Sequence, residues 1–549
     1  MIYEAEAGNL TITAGGDAMI TRKLSVFREK RFTELVELFR DSDVGYVNLE
    51  MLMHDFEHSP GSAGGTFTGS NPSNLEELKW AGINLVSTAN NHSQDYGEDG
   101  VLTNLKHLRD SSLEFAGTGK NLSEARGAAY LDTKNGRVGL ISTSSTFAES
   151  GRALDQRPDI KGRPGLNPQR FNTKYIVDRH AFDQIRRTNR ELGLQKKRDA
   201  LRKFRPEGVL SEDTEISMSF LGKHFELGDD FSEITTPHVD DMEGNLRWIS
   251  DAKRMADWVI VSFHCHEAGK TASDPPNFLI EFAHRCIESG ADVFLGHGPH
   301  LTRGLELYKG KPIFYSLGNF IFQNDTVLWQ PSFNYELLKL GPMATPADFY
   351  DKRSENGRGF PGDPIYWQSI ITRITFESKD VSSIELIPID MGYGKPRSMT
   401  GRPVVAEGKT AVDTFTATDP DGDKLTYSLS VGVDDNDLFT IVADTGVVTF
   451  KAAPDFETKT SYVFIVTEFV WRLATVRKVE RWGLECDSRN LDFDISWFTL
   501  RIAFTLVLIG LIMVLSAGKG PKGRFLVLRR SLTPGATGNS RYSRSKNRR

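Results

Sequence analysis

The chain has 549 residues, 39% apolar and 26% charged, a composition of globular domains rather than of disorder, with room for several of them. Its net charge of −6 is uneven: Lys519 to Arg549 holds ten Lys or Arg and no acid, which leaves the rest at −16 and excludes a basic nucleic-acid-binding profile. Three cysteines, Cys265, Cys286 and Cys486, exclude a disulfide framework and give no CxxC metal signature.

The start, MIYEAEAGNLTITAGGD, shows neither the basic n-region nor the long apolar h-region of a signal peptide. From there to about residue 400 short apolar runs alternate with amphipathic stretches, the rhythm of βαβ units. LTITAG (10–15), VGYVNL (44–49), INLVST (83–88), VGLIST (138–143), DWVIVSF (257–263), DVFLG (292–296) and KPIFYSL (311–317) read as strands. FTELVELF (32–39), NLEELKWAG (74–82) and PPNFLIEFAHRCIESG (275–290, stopped by Gly290) read as helices. Residues 150–250 differ: RHAFDQIRRTNRELGLQKKRDALRKF is a highly charged helical stretch, either a solvated insertion or a basic lip over an anionic substrate.

GRPVVAEGKT (401–410) marks a boundary, after which Thr, β-branched residues and Asp/Gly turns announce an all-β module over 409–468. A linker, 469–494, follows. Ile495 to Ala517 is 23 residues with one charge, Arg501. A helix spanning a bilayer needs about 20 apolar residues. The basic tail, 518–549, then belongs on the cytoplasmic side and the body outside. The rival for 495–517 is a buried core helix.

Five of the strand-like runs end in residues able to bind a metal: Asp17, Glu50, the trio Asn90, Asn91 and His92, the group His264, His266 and Glu267, and His297 with His300 three later. Taken singly these are a turn, a surface carboxylate, an Asn turn and ordinary loop or core histidines. Taken together they gather at one place, because ligands in an open α/β sheet sit outside the carboxyl ends of its strands. Oxygen and imidazole donors without thiolate favour Mn²⁺, Zn²⁺ or Fe²⁺. The set exceeds what one catalytic ion takes and would serve two ions about 3.5–4 Å apart. Cys265, between two candidate histidines, points the other way in a strand and reads as core packing.

The motifs GDAMI, VNLE, STANNHSQDYG, VSFHCHE, GADVFLGHGPH and GKPIFYSLGNF, in this order, resemble the CapA-type capsule synthesis family associated with poly-gamma-glutamate, over residues 8 to 404. The resemblance implies an α/β fold, a metallophosphoesterase-like layered sheet with flanking helices, as domain 1–408. By it Asp17, Glu50, Asn91, His264, His297 and His300 match metal-site positions and His92 matches a general acid; His266 and Glu267, at the end of the same run as His264, are read as supporting residues around them. Two departures stand out: Met19 replaces the histidine of an Asp-x-His opening, and Glu50 stands where an aspartate usually bridges two ions.

The small all-β, sandwich-like module resembles a partial cadherin-like repeat in ATDPDGDKLTYSL, LFTIVADTGVVTF and PDFE. Asp419, Asp421, Asp455 and Glu457 match its calcium-holding acidic positions, which otherwise read as Asp/Gly turns. Two functions follow from these resemblances. One is hydrolysis of a phosphoester or related bond at a metal-bound hydroxide, with His92 protonating the leaving oxygen. The other is a non-catalytic, membrane-tethered accessory factor that binds an anionic polymer such as polyglutamate during capsule export.

Overall fold

A computed structural model describes residues 8–61, 65–205 and 212–406, and the strands 411–414, 425–429, 439–441, 447–450, 462–470, 527–533 and 536–543 beyond them. The chain divides into two compact units, Met1–Val381 with Leu386–Ala406, and Ser382–Glu385 with Glu407–Arg549. The first unit carries the candidate site.

Two sheets form its centre. In the first, strands Leu10–Met19, Val44–Leu49, Leu85–Ser87 and Glu114–Ala116 run parallel side by side. On its other flank Leu10–Met19 pairs antiparallel with Gln368–Glu377 over Leu10–Ala14, then parallel with Asn319–Phe322 from Asp17 on. The change of partner coincides with an irregularity around Gly15–Asp17. A Cβ on Gly16 would lie 1.8 Å from the Gly318 carbonyl oxygen, so only glycine lets the two backbones meet there.

In the second sheet Gly136–Ser144, Trp258–His264 and Val293–His297 run parallel, extended by Lys311–Phe314 and bordered by Ala129–Thr133 and Leu305–Tyr308. Trp258–His264 is buried throughout, as a central parallel strand must be. Its Val259, Val261 and Phe263 pack outward against Ile249 of helix Val239–Met255 and Phe278 and Phe282 of helix Asn277–Glu288. Each such fully buried side chain contributes roughly 1.5–3 kcal/mol. The alternate positions, Ser262 and His264, face the first sheet. There the Tyr46 hydroxyl bonds Ser87 Oγ at 2.8 Å and donates to Ser262 Oγ at 2.7 Å, joining the two sheets. Helices Lys30–Arg40, Asn74–Trp80 and Gly97–Ser111 belong to the first sheet's βα connections. The layered α/β arrangement expected from the sequence is thus present.

Residues 171–237 correct one expectation. The charged helices are there, Arg179–Glu191 and Leu194–Arg202, but they lie in an α+β insertion rather than a purely helical one. Phe171–Val177, Ser217–Phe220, Lys223–Leu227 and Ser232–Pro237 form a four-stranded sheet with a small core of Val177, Phe182 and Met218. Its strands are only half buried, so their sequence lacks the apolar runs that signal a central strand.

In the second unit Ala411–Thr414 and Phe439–Ile441 pair antiparallel with Val447–Phe450, and Tyr462–Val470 with Leu425–Leu429. Val527–Thr533 and Ala536–Ser543, within the expected basic tail, are strands. Asp419, Asp421, Asp455, Glu457 and the apolar segment 495–517 lie outside the described residues. Among the described residues no helix is long and apolar enough to cross a membrane.

Candidate metal centre

Strand register assembles the site. Asp17 is the partner of Asn48, and Asn48 of Ser87, across the first sheet. His264 is the partner of both Ser144 and His297 across the second. Parallel strands bring the same ends together, so both sheets deliver polar side chains to one edge. Gly298, just past the strand, has φ +119°, and its N–H donates to Asp17 Oδ2 at 3.0 Å. A Cβ there would lie 2.8 Å from the Cys265 nitrogen.

Three groups of carboxylates and imidazoles overlap at this edge: Asp17, His264 and His297; Glu50, His264 and His266; Asp17, Glu50 and His300. All but His266 are buried. His297 Nδ1 lies 3.5 Å from Asp17 Oδ1 and 2.9 Å from His264 Nδ1. His264 Nε2 lies 2.9 Å from Asn91 Oδ1 and 3.0 Å from His266 Nε2. A neutral imidazole offers one lone pair, so His264 serves the first group or the second, not both. Asp17 and Glu50 each split their oxygens between neighbours. Asp17 Oδ1 faces His297 and its Oδ2 faces His300 at 3.5 Å.

Glu50 is the anomaly. Both of its carboxyl oxygens are buried without a hydrogen-bond partner. Around them stand His264 Nε2 at 3.7 Å, His266 Nε2 and His92 Nε2 at 3.9 Å, and His300 Nδ1 at 3.7 Å. A bare buried carboxylate costs several kcal/mol unless a cation compensates it. Burial, then the Asp17 charge, pushes the Glu50 carboxyl well above its usual range. Burial also pushes Asp17 up, but His300, His297 and the Asn48 amide outweigh it and hold Asp17 below the ordinary value. Burial, reinforced by neighbouring histidines, drives His264 well down and His266 down to about 3. Burial also brings His297 down to about 4, against the opposing pull of Asp17. Neutral imidazoles and the lowered Asp17 carboxyl are in the states a metal ligand set requires, whereas Glu50 would release a proton on binding.

The supporting contacts are also in place. Ser262 Oγ meets His297 Nε2 at 2.8 Å, leaving Nδ1 toward Asp17. Asn48 Nδ2 donates to Asp17 Oδ1 at 2.8 Å. Such contacts orient metal ligands. His300 differs. It sits at φ +62°, and its Nδ1 meets Asn319 Oδ1 at 2.9 Å. The Asn319 amide donates to the carbonyls of Tyr366 and His300, so His300 Nδ1 carries the hydrogen. That hydrogen goes to Asn319, so His300 Nδ1 only stands near the two carboxylates, 3.5 Å from Asp17 Oδ2 and 3.7 Å from Glu50 Oε2.

His92 has Nδ1 2.8 Å from Asp95 Oδ2 and Nε2 toward the cluster. An ionised carboxylate only accepts, so Nδ1 bears the hydrogen. His92, Asn91, His266, His300, Arg303 and Arg353 line a cavity of about 360 Å³ beside the carboxylates. Of the expected residues, Asp17, Glu50, Asn91, His92, His264, His266, His297 and His300 come together. Glu267 does not join them: it accepts from Ser145 Oγ at 2.6 Å and Thr146 Oγ1 at 2.9 Å, with the Cys265 thiol 3.3 Å away.

Sequence reasoning passed over Asn48, Asp95, Asn319 and Arg303. Asn48 is the same-face neighbour of Glu50, two before it. Asp95 stands three after His92 in NNHSQD, a spacing that a turn closes. Asn319 and Arg303 had no local signal.

Residues 11–324 match the family model described as bacterial capsule synthesis protein PGA_cap. An uncharacterized protein of Sinorhizobium fredii is 31% identical over 451 residues, 77% of this chain and 92% of that one. The PGA biosynthesis protein CapA of Bacillus subtilis is 24% identical over 380 residues, 67% of this chain and 79% of its own. The capsule biosynthesis protein CapA of Bacillus anthracis is 23% identical over 328 residues, 58% and 62% of the two chains.

Proposed function

The chain belongs to the family of bacterial capsule synthesis proteins, and from that membership we propose that it holds one or two divalent transition-metal ions and hydrolyses a phosphoester or related bond in capsule synthesis. The observation that carries this reading is Glu50, whose two buried oxygens have no partner yet face four imidazoles. Asp17, Glu50, His264, His266 and His297 would hold the metal, with Asn91 beside them and His300 held next to the carboxylates by Asn319. This nitrogen and oxygen donor set suits Mn²⁺, Zn²⁺ or Fe²⁺. When bound, such an ion polarises the substrate's oxygen and acidifies water at the site.

The chain's own residues account for the remaining steps. Asp95 fixes the His92 ring through Nδ1 and stabilises its imidazolium. Nε2 then bears the proton that the leaving oxygen takes. Buried walls around the carboxylates keep bulk water out, which strengthens each electrostatic contact inside.

Metal analysis of the purified full-length chain, with phosphomonoester and phosphodiester assays, tests this reading. Metal-dependent turnover that disappears in His264→Ala supports it. A metal-free chain that turns over neither ester overturns it. The second reading is the accessory factor tethered through residues 495–517, holding an anionic polymer. The observation favouring it is a buried cation, Arg303, in the cavity wall.

A further inference from the structure

Arg303 is 7% exposed, yet Nη1 and Nη2 have no hydrogen-bond partner among the described residues. Its Nε donates to the Ala272 carbonyl at 3.2 Å, which anchors the base of the fork and leaves its two terminal nitrogens uncommitted. The candidate counter-charges nearby are all otherwise engaged. Glu267 is held by Ser145 and Thr146, and Asp274 by Thr271. The Cys265 thiol faces the Glu267 carboxylate at 3.3 Å. A second cation on the same wall, Arg353, is already committed to Thr66 Oγ1 and stands 5.6 Å over the Phe360 ring. Burying a guanidinium with both terminal nitrogens unpaired is costly, and Glu267 and Asp274 offset that cost only through their charge, without a hydrogen bond to the fork.

We infer that Arg303 is the recognition group for a second anionic moiety of the substrate, a carboxylate or phosphate group gripped through both Nη atoms while the reacting group lies at the carboxylate–imidazole cluster. The planar fork matches two oxygens of either oxyanion, which a lysine's point charge does not. Arg303 shares its cavity with Asn91, His92, His266 and His300, so the anion it holds sits beside the reacting centre. This inference rests on the proposed metal site for its substrate geometry but not for its test.

The full-length chain is titrated by calorimetry with inorganic phosphate and, separately, with a glutamate oligomer, with and without added Mn²⁺. Arg303→Met should weaken binding roughly ten- to a hundred-fold, the worth of a charge-assisted hydrogen bond. Arg303→Lys should fall between it and the unmodified chain. Loss for phosphate alone assigns a phosphate source, and loss for the oligomer alone a carboxylate source. Arg303→Met should leave the ligand-free melting temperature unchanged or higher, since it removes a buried charge whose two terminal nitrogens are unpaired. Unchanged affinity for both probes overturns the inference. So does an Arg303→Met chain that fails to fold together with Arg303→Lys at full affinity. A chain that binds these anions through Arg303 but hydrolyses no ester overturns only the hydrolase reading.

Discussion

The Nδ1 atoms of His264 and His297 lie 2.9 Å apart. The two residues are register partners on adjacent parallel strands, so the backbone ladder itself holds this pair. Burial lowers the pKa of both rings, so both stay neutral. His264→Ala and His297→Ala should each lower copurified metal while leaving the fold intact. His300→Ala should retain more, because its Nδ1 is committed to Asn319. Elemental analysis of the purified variants decides this, and unchanged stoichiometry in His297→Ala would sink the ligand assignment.

Glu50→Gln separates charge from shape. In metal-free protein it should preserve or raise the melting temperature, because a buried carboxylate without a partner is replaced by a neutral amide. With saturating Mn²⁺ the order should reverse, since the variant has lost the charge that a bound cation compensates. Thermal melts with chelator and with metal measure both. A variant destabilised equally in the two conditions would show that Glu50 serves packing alone.

His92→Ala should cut turnover about 10²–10⁴-fold, the usual contribution of a positioned general acid, and keep the metal. Asn91→Ala should instead loosen the metal, as Asn91 Oδ1 reaches His264 Nε2. Asp95→Asn should slow turnover in the same direction as His92→Ala by releasing the ring. A nitrophenyl leaving group needs little protonation and should partly rescue His92→Ala. Equal loss on activated and unactivated esters would remove His92 from the acid's role.

Acid should destabilise the metal-free chain through three imidazoles. His264, His266 and His297 have folded values below the ordinary 6.5, the last two at about 3 and about 4. A depressed value means the unfolded state takes up protons first. The stability these groups confer is therefore complete above about pH 6.5 and is lost as pH falls through the folded values. Urea midpoints with chelator, from pH 7.5 to 4.5, should fall faster in the unmodified chain than in His297→Ala. Parallel curves would show that this histidine does not carry the effect.

The strands that build the site were legible because parallel, doubly buried strands must be almost wholly apolar. VGYVNL and DWVIVSF announce themselves, and the polar residue that ends each run marks the sheet edge. That reasoning found Asp17, Glu50, Asn91, His92, His264, His297 and His300 without knowing how the strands pair. The half-exposed strands at 171–177 and 217–237 lacked that pressure and were passed over.

Only the tertiary structure decided how the donors divide. His266 looked like support for a neighbour, yet its Nε2 stands 3.9 Å from Glu50 because the chain leaves its strand after His264. Glu267, one residue on, turns to Ser145 and Thr146 instead. The proton on His300 Nδ1 depends on Asn319, 19 residues away, and on where that amide's hydrogens go. Arg303 gives no signal in the sequence, and packing buried it with both terminal nitrogens unpaired. A sequence records which groups a strand end offers, whereas hydrogen-bond partners and desolvation belong to neighbours that only the folded chain brings together.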